Sequence, residues 1–265
     1  MLEIARYEAG KRAKGTAALT AGIAVLALVF VAFFPSLAGA DVDIDAMLEA
    51  YPPAVQEAFG IATLSTIEGF LAVEIYQFVW LLLLGLYFAY SAGGLIAEDV
   101  ERDRMDLTLS LPVSRSRVLV EKFLSLLVPI LALNLVVPVV VFAGVLAIGE
   151  SIDPVDLAMV HALSIPYLLA CAAIGLLLSV LASRADVARR IAIAAVFVLF
   201  LIESVAASTD GFEAAGYLSP THYYDPTAVL VEGSYDLAGA AVLLVVTVLL
   251  VFLARFRFAR ADIGA

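Results

Sequence analysis

The sequence predicts an all-α, polytopic membrane protein of six transmembrane helices with both termini cytoplasmic. Three observations predict it: an apolar composition, six long apolar runs, and a strict clustering of the basic residues. Of 265 residues, 63% are hydrophobic and 15% are charged, whereas a soluble domain has about a quarter of its residues charged. So few polar groups cannot cover a water-facing surface, so most of the surface must face lipid. The segments between the apolar runs are too short for a separate globular unit, and residues 1–265 read as a single transmembrane domain.

The apolar runs span about 16–34, 75–97, 123–149, 157–182, 191–207 and 237–254. A helix of roughly 20 residues crosses a hydrocarbon core of about 30 Å. The runs are continuous rather than alternating, which favours helices over barrel strands. The last two runs are the shortest, and their ends are the least sharply marked.

Orientation follows from charge. All 15 lysines and arginines fall in four segments. The N-terminal stretch has Arg6, Lys11, Arg12 and Lys14. The second connection has Arg102, Arg104, Arg115, Arg117 and Lys122. The fourth has Arg184, Arg189 and Arg190, and the tail has Arg255, Arg257 and Arg260. The first, third and fifth connections have none. Basic residues beside spans stay on the cytoplasmic side, which puts both ends and the even connections inside. Ala38-Gly39-Ala40 resembles a signal-peptidase site. The preceding apolar run, however, exceeds the roughly 7–15 residues of a signal peptide, so the first span is read as a retained anchor.

The net charge is −11, and three of the basic residues, Lys11, Lys14 and Lys122, are lysine. That balance suits a halophile, because salt near 1 M shortens electrostatic range to about 3 Å and makes dense like charge tolerable. A cation-attracting outer vestibule is the other reading of the outer acids. In the first outer connection, Met47, Leu48, Tyr51, Val55 and Phe59 recur every three or four residues. They predict a short helix on the membrane surface, interrupted at Pro52-Pro53. Tyr217, Tyr223 and Tyr224 in the fifth connection read as headgroup anchors.

Few polar residues lie within the spans. Asn134, between Pro129 and Pro138, predicts an interhelical hydrogen bond in a kinked helix. Glu203 either marks the interfacial end of the fifth span or, with Asn134, lines a possible substrate path, since a charge at membrane depth needs protein, water or a proton. Glu74 and Gln77 are placed near the outer interface. The single cysteine, Cys171, excludes an internal disulfide or zinc cluster and, with Ala170 and Gly175, reads as a close helix contact. His161 and His222 lack metal-ligand spacing, and no metal site is expected.

The second connection, about 98–122, is the most informative. Glu98, Asp99, Glu101 and Asp103 follow the second span directly. Val100, Leu107 and Leu111 share one helical face, although Met105, Leu107, Leu109 and Leu111 also alternate. Pro112 ends whatever precedes it, and Ser114 predicts the N-cap of a helix running through Arg117 and Lys122 into the third span. Taken alone, such a segment is a charged hairpin anchoring two spans.

This segment resembles the cytoplasmic loop of ABC-2 type transporter permeases, in which an acidic cluster precedes a leucine stretch, Leu-Pro-Val-Ser-Arg and a downstream lysine. The matching residues are Glu98, Asp99, Glu101, Leu107, Leu109, Leu111, Pro112, Val113, Ser114, Arg115 and Lys122. Met105-Asp106 stands where the family has Gly-Thr. The six-span layout, the chain length and the stretch from Leu218 to Pro226 also resemble this family. The resemblance implies a membrane-spanning permease subunit of an ATP-driven ABC transporter, an exporter in the cell membrane. Its partners would be an ABC ATPase subunit, a second permease copy and membrane lipid, with no nucleic acid. Glu98, Asp99, Glu101, Leu107, Leu111, Pro112, Arg115 and Lys122 would form the ATPase-coupling surface, with Glu98, Asp99 and Arg115 setting its register through ion pairs. No Gly-x-x-x-x-Gly-Lys-Ser/Thr loop occurs here, so ATP and Mg would be bound by the partner and no cofactor by this chain. A membrane subunit serving maturation of an exported metalloprotein is an alternative within the resemblance. An intramembrane enzyme would need a His-Glu-x-x-His, paired aspartates or a Gly-x-Ser-x-Gly elbow, none of which is present.

Overall fold

A computed structural model describes residues 2–39, 63–110, 112–209 and 211–260. Among these the regular structure is helical, with six helices long and apolar enough to cross a membrane. The predicted surface helix of residues 41–59 lies outside the described residues.

The first span, α1 (Glu3–Ala38), begins well before its apolar run. Its N-terminal residues are mostly Ala, Glu, Lys and Arg, which lose little side-chain freedom in a helix. The second span is composite: α2 (Ile67–Leu71), a π-helix (Ala72–Leu84) and α3 (Gly85–Gly93). A π-helix is usually a single turn within an α-helix, and this one covers 13 residues. The Tyr167 hydroxyl donates to the Leu81 carbonyl at 2.7 Å, giving one of its peptide groups a partner from another span.

Two short helices follow, α4 (Ala97–Glu101) and α5 (Arg104–Leu109), joined through Asp103 at φ +54°, a conformation that aspartate tolerates better than most residues. The third span is split into α6 (Arg115–Leu124) and α7 (Leu127–Ala147). The break falls where Pro129 cannot donate to the Ser125 carbonyl. Ser114 caps α6 as its sequence predicts, accepting from the Arg117 amide at 3.3 Å. The fourth and fifth spans are α8 (Pro154–Leu181) and α9 (Ala185–Ser208). The fifth connection folds into α10 (Glu213–Gly216), a 3-10 turn (Pro220–Tyr223) and α11 (Pro226–Glu232), and α12 (Leu237–Ala259) is the sixth span. Helices α8 and α11 both open with Asp-Pro, the aspartate accepting first-turn amides and the proline occupying a position that needs no donor.

Helix α8 is central, packing against α3, α12, α9 and α7, while α1 packs along α7. The faces of α1, α9 and α12 that project Val25, Phe33, Val198, Leu201, Val248 and Phe252 are exposed, as lipid-facing surfaces must be. Helices α3 and α8 approach closely at Gly175, where a Cβ would stand 2.2 Å from the Ala89 carbonyl oxygen. Ala170 and Cys171 beside it are fully buried, matching their reading as small contact residues. Replacing Gly175 by alanine is expected to force α3 and α8 apart and to destabilise the bundle by about 1–3 kcal/mol, as overpacking does. A lowered Tm of the detergent-purified chain would show it.

Candidate functional site

The basic segments converge on one end of the bundle, and the acidic residues 98–121 bind them together. Helix α1 has no side-chain cap of its own. Its first amides, Ile4 and Ala5, donate instead to Glu121 Oε2 at 2.9 and 3.2 Å. Helix α9 likewise has no local cap, and the Ala185 amide donates to Glu101 Oε2 at 3.0 Å. Helix α4 begins with the Ile96 and Ala97 amides, both donating to Ser179 Oγ of α8 at 3.0 Å. Three helix starts are thus satisfied from other elements. Where the acceptor is a carboxylate, it also meets the positive end of a helix dipole.

Ion pairs reinforce the caps. Lys122, whose side chain is 5% exposed, lies 2.9 Å from Glu8 of α1 and 2.6 Å from Asp99 of α4. Arg104 bridges Asp99 at 3.3 Å and Glu98 at 3.0 Å. Glu98 also pairs with Arg102 at 3.1 Å and with Arg189 of α9. The Arg189 guanidinium crosses the bare backbone of Gly94, where a Cβ would stand 2.5 Å from Nε, and lies 5.2 Å from the centre of the Tyr90 ring. Gly94 therefore gives Arg189 the room to reach Glu98.

Of the predicted coupling residues, Glu98, Asp99, Glu101 and Lys122 all meet here, each engaged within the chain. The ion pairs that the structure gives Glu98 and Asp99 are internal, with Arg102, Arg104, Lys122 and Arg189. Arg115 opens α6, Leu107 lies on α5, Pro112 is exposed in the turn between them, and Leu111 falls outside the described residues. Glu8, Glu121, Ser179 and Arg189 belong to the same cluster and were not singled out from sequence. Their only signal was charge or a hydroxyl close to a span end.

The two residues assigned to a possible substrate path are separated. Asn134 is buried between α7 and α8. Its Nδ2 donates to the Ile130 carbonyl at 2.9 Å, so Oδ1 faces His161 Nδ1 at 3.0 Å and accepts from Ser164 Oγ at 2.8 Å. That orientation puts the imidazole proton on Nδ1 and leaves Nε2 to accept from the Tyr76 hydroxyl, 3.0 Å away. The Trp80 indole donates to Ser164 Oγ at 3.1 Å. This is the interhelical bond predicted for Asn134, extended into an uncharged network joining the π-helix, α7 and α8. That Tyr76, Trp80, His161 and Ser164 join Asn134 in one network is not legible in the sequence, because single polar groups in apolar runs do not announce their partners. Asn134 and His161 line an apolar crevice of about 450 Å³ between α7 and α8.

Glu203 lies at the other end, where α9 meets the fifth connection. Its Oε1 is 3.0 Å from His222 Nδ1, and with Gln77, Ser204, Thr221 and Asp225 it borders a cavity of about 170 Å³. The two histidines have separate partners, Tyr76 and Asn134 for His161 and Glu203 for His222. Nearby, Tyr235 donates its hydroxyl to Asp156, which holds that phenol above its ordinary pKa. The Tyr224 hydroxyl turns inward to the Val160 carbonyl at 3.0 Å. Tyr224 is thus a buried strut rather than the headgroup anchor its position predicts.

Six membrane-crossing helices, with a charged two-helix loop clamped at one end, define a multi-pass membrane protein built to connect that loop to its spans. The family model described as ABC-2 family transporter protein matches residues 2–263, and the chain belongs to this family. None of the curated proteins compared with it matches the sequence.

Removing Lys122 strands two nearly buried carboxylates. Lys122→Met is expected to destabilise the chain by about 3–5 kcal/mol, and adding Glu8→Gln and Asp99→Asn to restore much of the loss. Denaturant unfolding of the single and triple variants in detergent would measure both effects.

Proposed function

We propose that the chain is the permease subunit of an ATP-driven exporter in the cell membrane, pairing with a second permease copy and driven by a separate ABC ATPase. The capped loop of residues 98–122 carries the reading. The partner would bind ATP and Mg and press on α4 and α5 from the cytoplasm, the side to which the positive-inside rule assigns the basic segments. A push on α4 has two outlets. Asp99, Lys122 and Glu8 lead to α1, while Glu98 with Arg189, and Glu101 with the Ala185 amide, lead to α9. Charged hydrogen bonds between rigid helices transmit displacement because they are short and directional. In this reading Glu98, Asp99 and Glu101 hold the loop to the bundle, leaving the leucine stretch and the turn at Pro112 to meet the ATPase.

The two roles are separable by experiment. After co-expression with the ATPase, Leu107→Asp combined with Leu111→Asp is expected to abolish co-purification. Glu98→Gln combined with Glu101→Gln should retain the complex but lower ATP-dependent transport about tenfold or more. If the double aspartate variant still binds the ATPase at wild-type level, the docking assignment fails. If the glutamine variant transports normally, the transmission role fails.

A further inference from the structure

Glu203 borders a cavity with one carboxylate oxygen facing His222, a cation only when the ring is protonated. Glu203 Oε1 has the His222 ring as its partner, but Oε2 is buried without a hydrogen bond among the described residues. It sits against Gly216, where a Cβ would stand 2.5 Å away. An ionised carboxylate has about four acceptor positions, and leaving one of its oxygens buried and unpaired is costly. No Lys or Arg occurs between Arg190 and Arg255, so neither α9 beyond its first turns, nor the fifth connection, nor the start of α12 brings a Lys or Arg to it. Asp225 adds a second carboxyl group to the lining, though its Oδ1 caps α11 through the Thr227 and Ala228 amides.

The rest of the lining is suited to a cation. Ser204 and Thr221 bring hydroxyl oxygens, and Gln77 of the π-helix brings an amide. The Gln77 side chain has no hydrogen bond among the described residues, in contrast to Tyr76 and Trp80 on the same helix. Size narrows the choice. At about 170 Å³, the cavity falls below the roughly 300–1,000 Å³ of pockets that enclose drug-sized ligands. It can hold a small ion with several waters at about 30 Å³ each, or a single ammonium group. No cluster of three or more His, Cys, Asp or Glu suited to a metal occurs among the described residues, which argues against a site built for a transition metal.

We propose that this cavity binds a compact monovalent cation, either an alkali ion or a protonated primary amine, through Glu203 with Gln77, Ser204 and Thr221. The site touches both the π-helix of the second span and α9, one of the two spans that the loop of residues 98–122 would move. The inference deepens the permease reading by naming a substrate or coupling-ion class. The binding itself can be measured without transport or an ATPase, so the two readings can fail separately.

The test is thermal unfolding of the full chain in nanodiscs of fixed lipid composition. Sodium, potassium or methylammonium chloride would replace N-methylglucamine chloride at constant ionic strength. A saturable rise in Tm is expected, about 5 °C or more at a hundredfold excess over Kd. A rise with sodium or potassium alone identifies an inorganic ion, one with methylammonium alone an amine, and one with both a general monocation site. Glu203→Gln should abolish the rise. Gln77→Leu, which breaks no hydrogen bond among the described residues and preserves the His222 contact, should weaken it about tenfold or more. This second variant keeps the test decisive should Glu203→Gln fail to fold. No saturable rise with any of the three ions overturns the proposal, as does a rise that neither variant changes.

Discussion

The architecture depends on carboxylates and a hydroxyl supplied to helix starts that cannot cap themselves. Glu121 takes the first amides of α1, Glu101 takes the first amide of α9, and Ser179 takes those of α4. A helix beginning near a membrane surface exposes unpaired donors and a positive partial charge, and at α1, α4 and α9 a different element answers that demand. The loop of residues 98–121 therefore does more than join two spans. It fixes where α1 and α9 begin, and a movement of the loop must move those helix starts or break their caps. The buried Lys122, held between Glu8 and Asp99, makes breaking the more costly course.

A second, uncharged network holds the interior. Tyr76, His161, Asn134, Ser164 and Trp80 pair with one another through donors and acceptors that balance without a net charge. In hydrocarbon this is the less expensive way to use polar side chains, since each would otherwise face lipid unsatisfied. The π-helix places Tyr76 and Trp80 on the side facing His161, with ring centres 5.3 and 4.8 Å from it. The bundle thus divides its polar chemistry by depth: ion pairs at the basic end, neutral hydrogen bonds in the middle, and at the opposite end a carboxylate with one oxygen unpartnered among the described residues.

The six spans were legible because lipid burial imposes long apolar runs that any hydropathy reading detects. Local capping was also legible at Ser114, because a cap and its helix are neighbours in sequence. The long-range caps were not. Glu121 and Ile4 are 117 residues apart, and no periodicity ties an acid at the start of the third span to an amide at the start of the first. The same limit explains Glu98 and Asp99. Their sequence position marked them as part of an ATPase-coupling loop and said nothing of their partners Arg189 and Lys122, which come from elements that only the folded bundle brings near. The split of Glu203 from Asn134 has a similar origin, since composition shows that both are polar within spans and says nothing of which helix face each one occupies.

The contrast between the two ends bears on direction of control. At the basic end every acid named in the cluster has a cation or a helix start, so the local structure is tightly specified. At the Glu203 end one carboxylate oxygen has no hydrogen-bond partner among the described residues, a cavity lies beside it, and the lining comes from α9, the π-helix and the fifth connection. A structure that is over-determined at one end and under-satisfied at the other places its adjustable equilibrium at the second. Displacement delivered through Glu98 and Arg189 would reach α9 at its first turns and emerge near Glu203, about 14 residues or four turns further along the same helix. If the loop drives the spans and the cavity binds a cation, α9 is the helix that joins the two, and linkage then requires their influence to run equally in both directions.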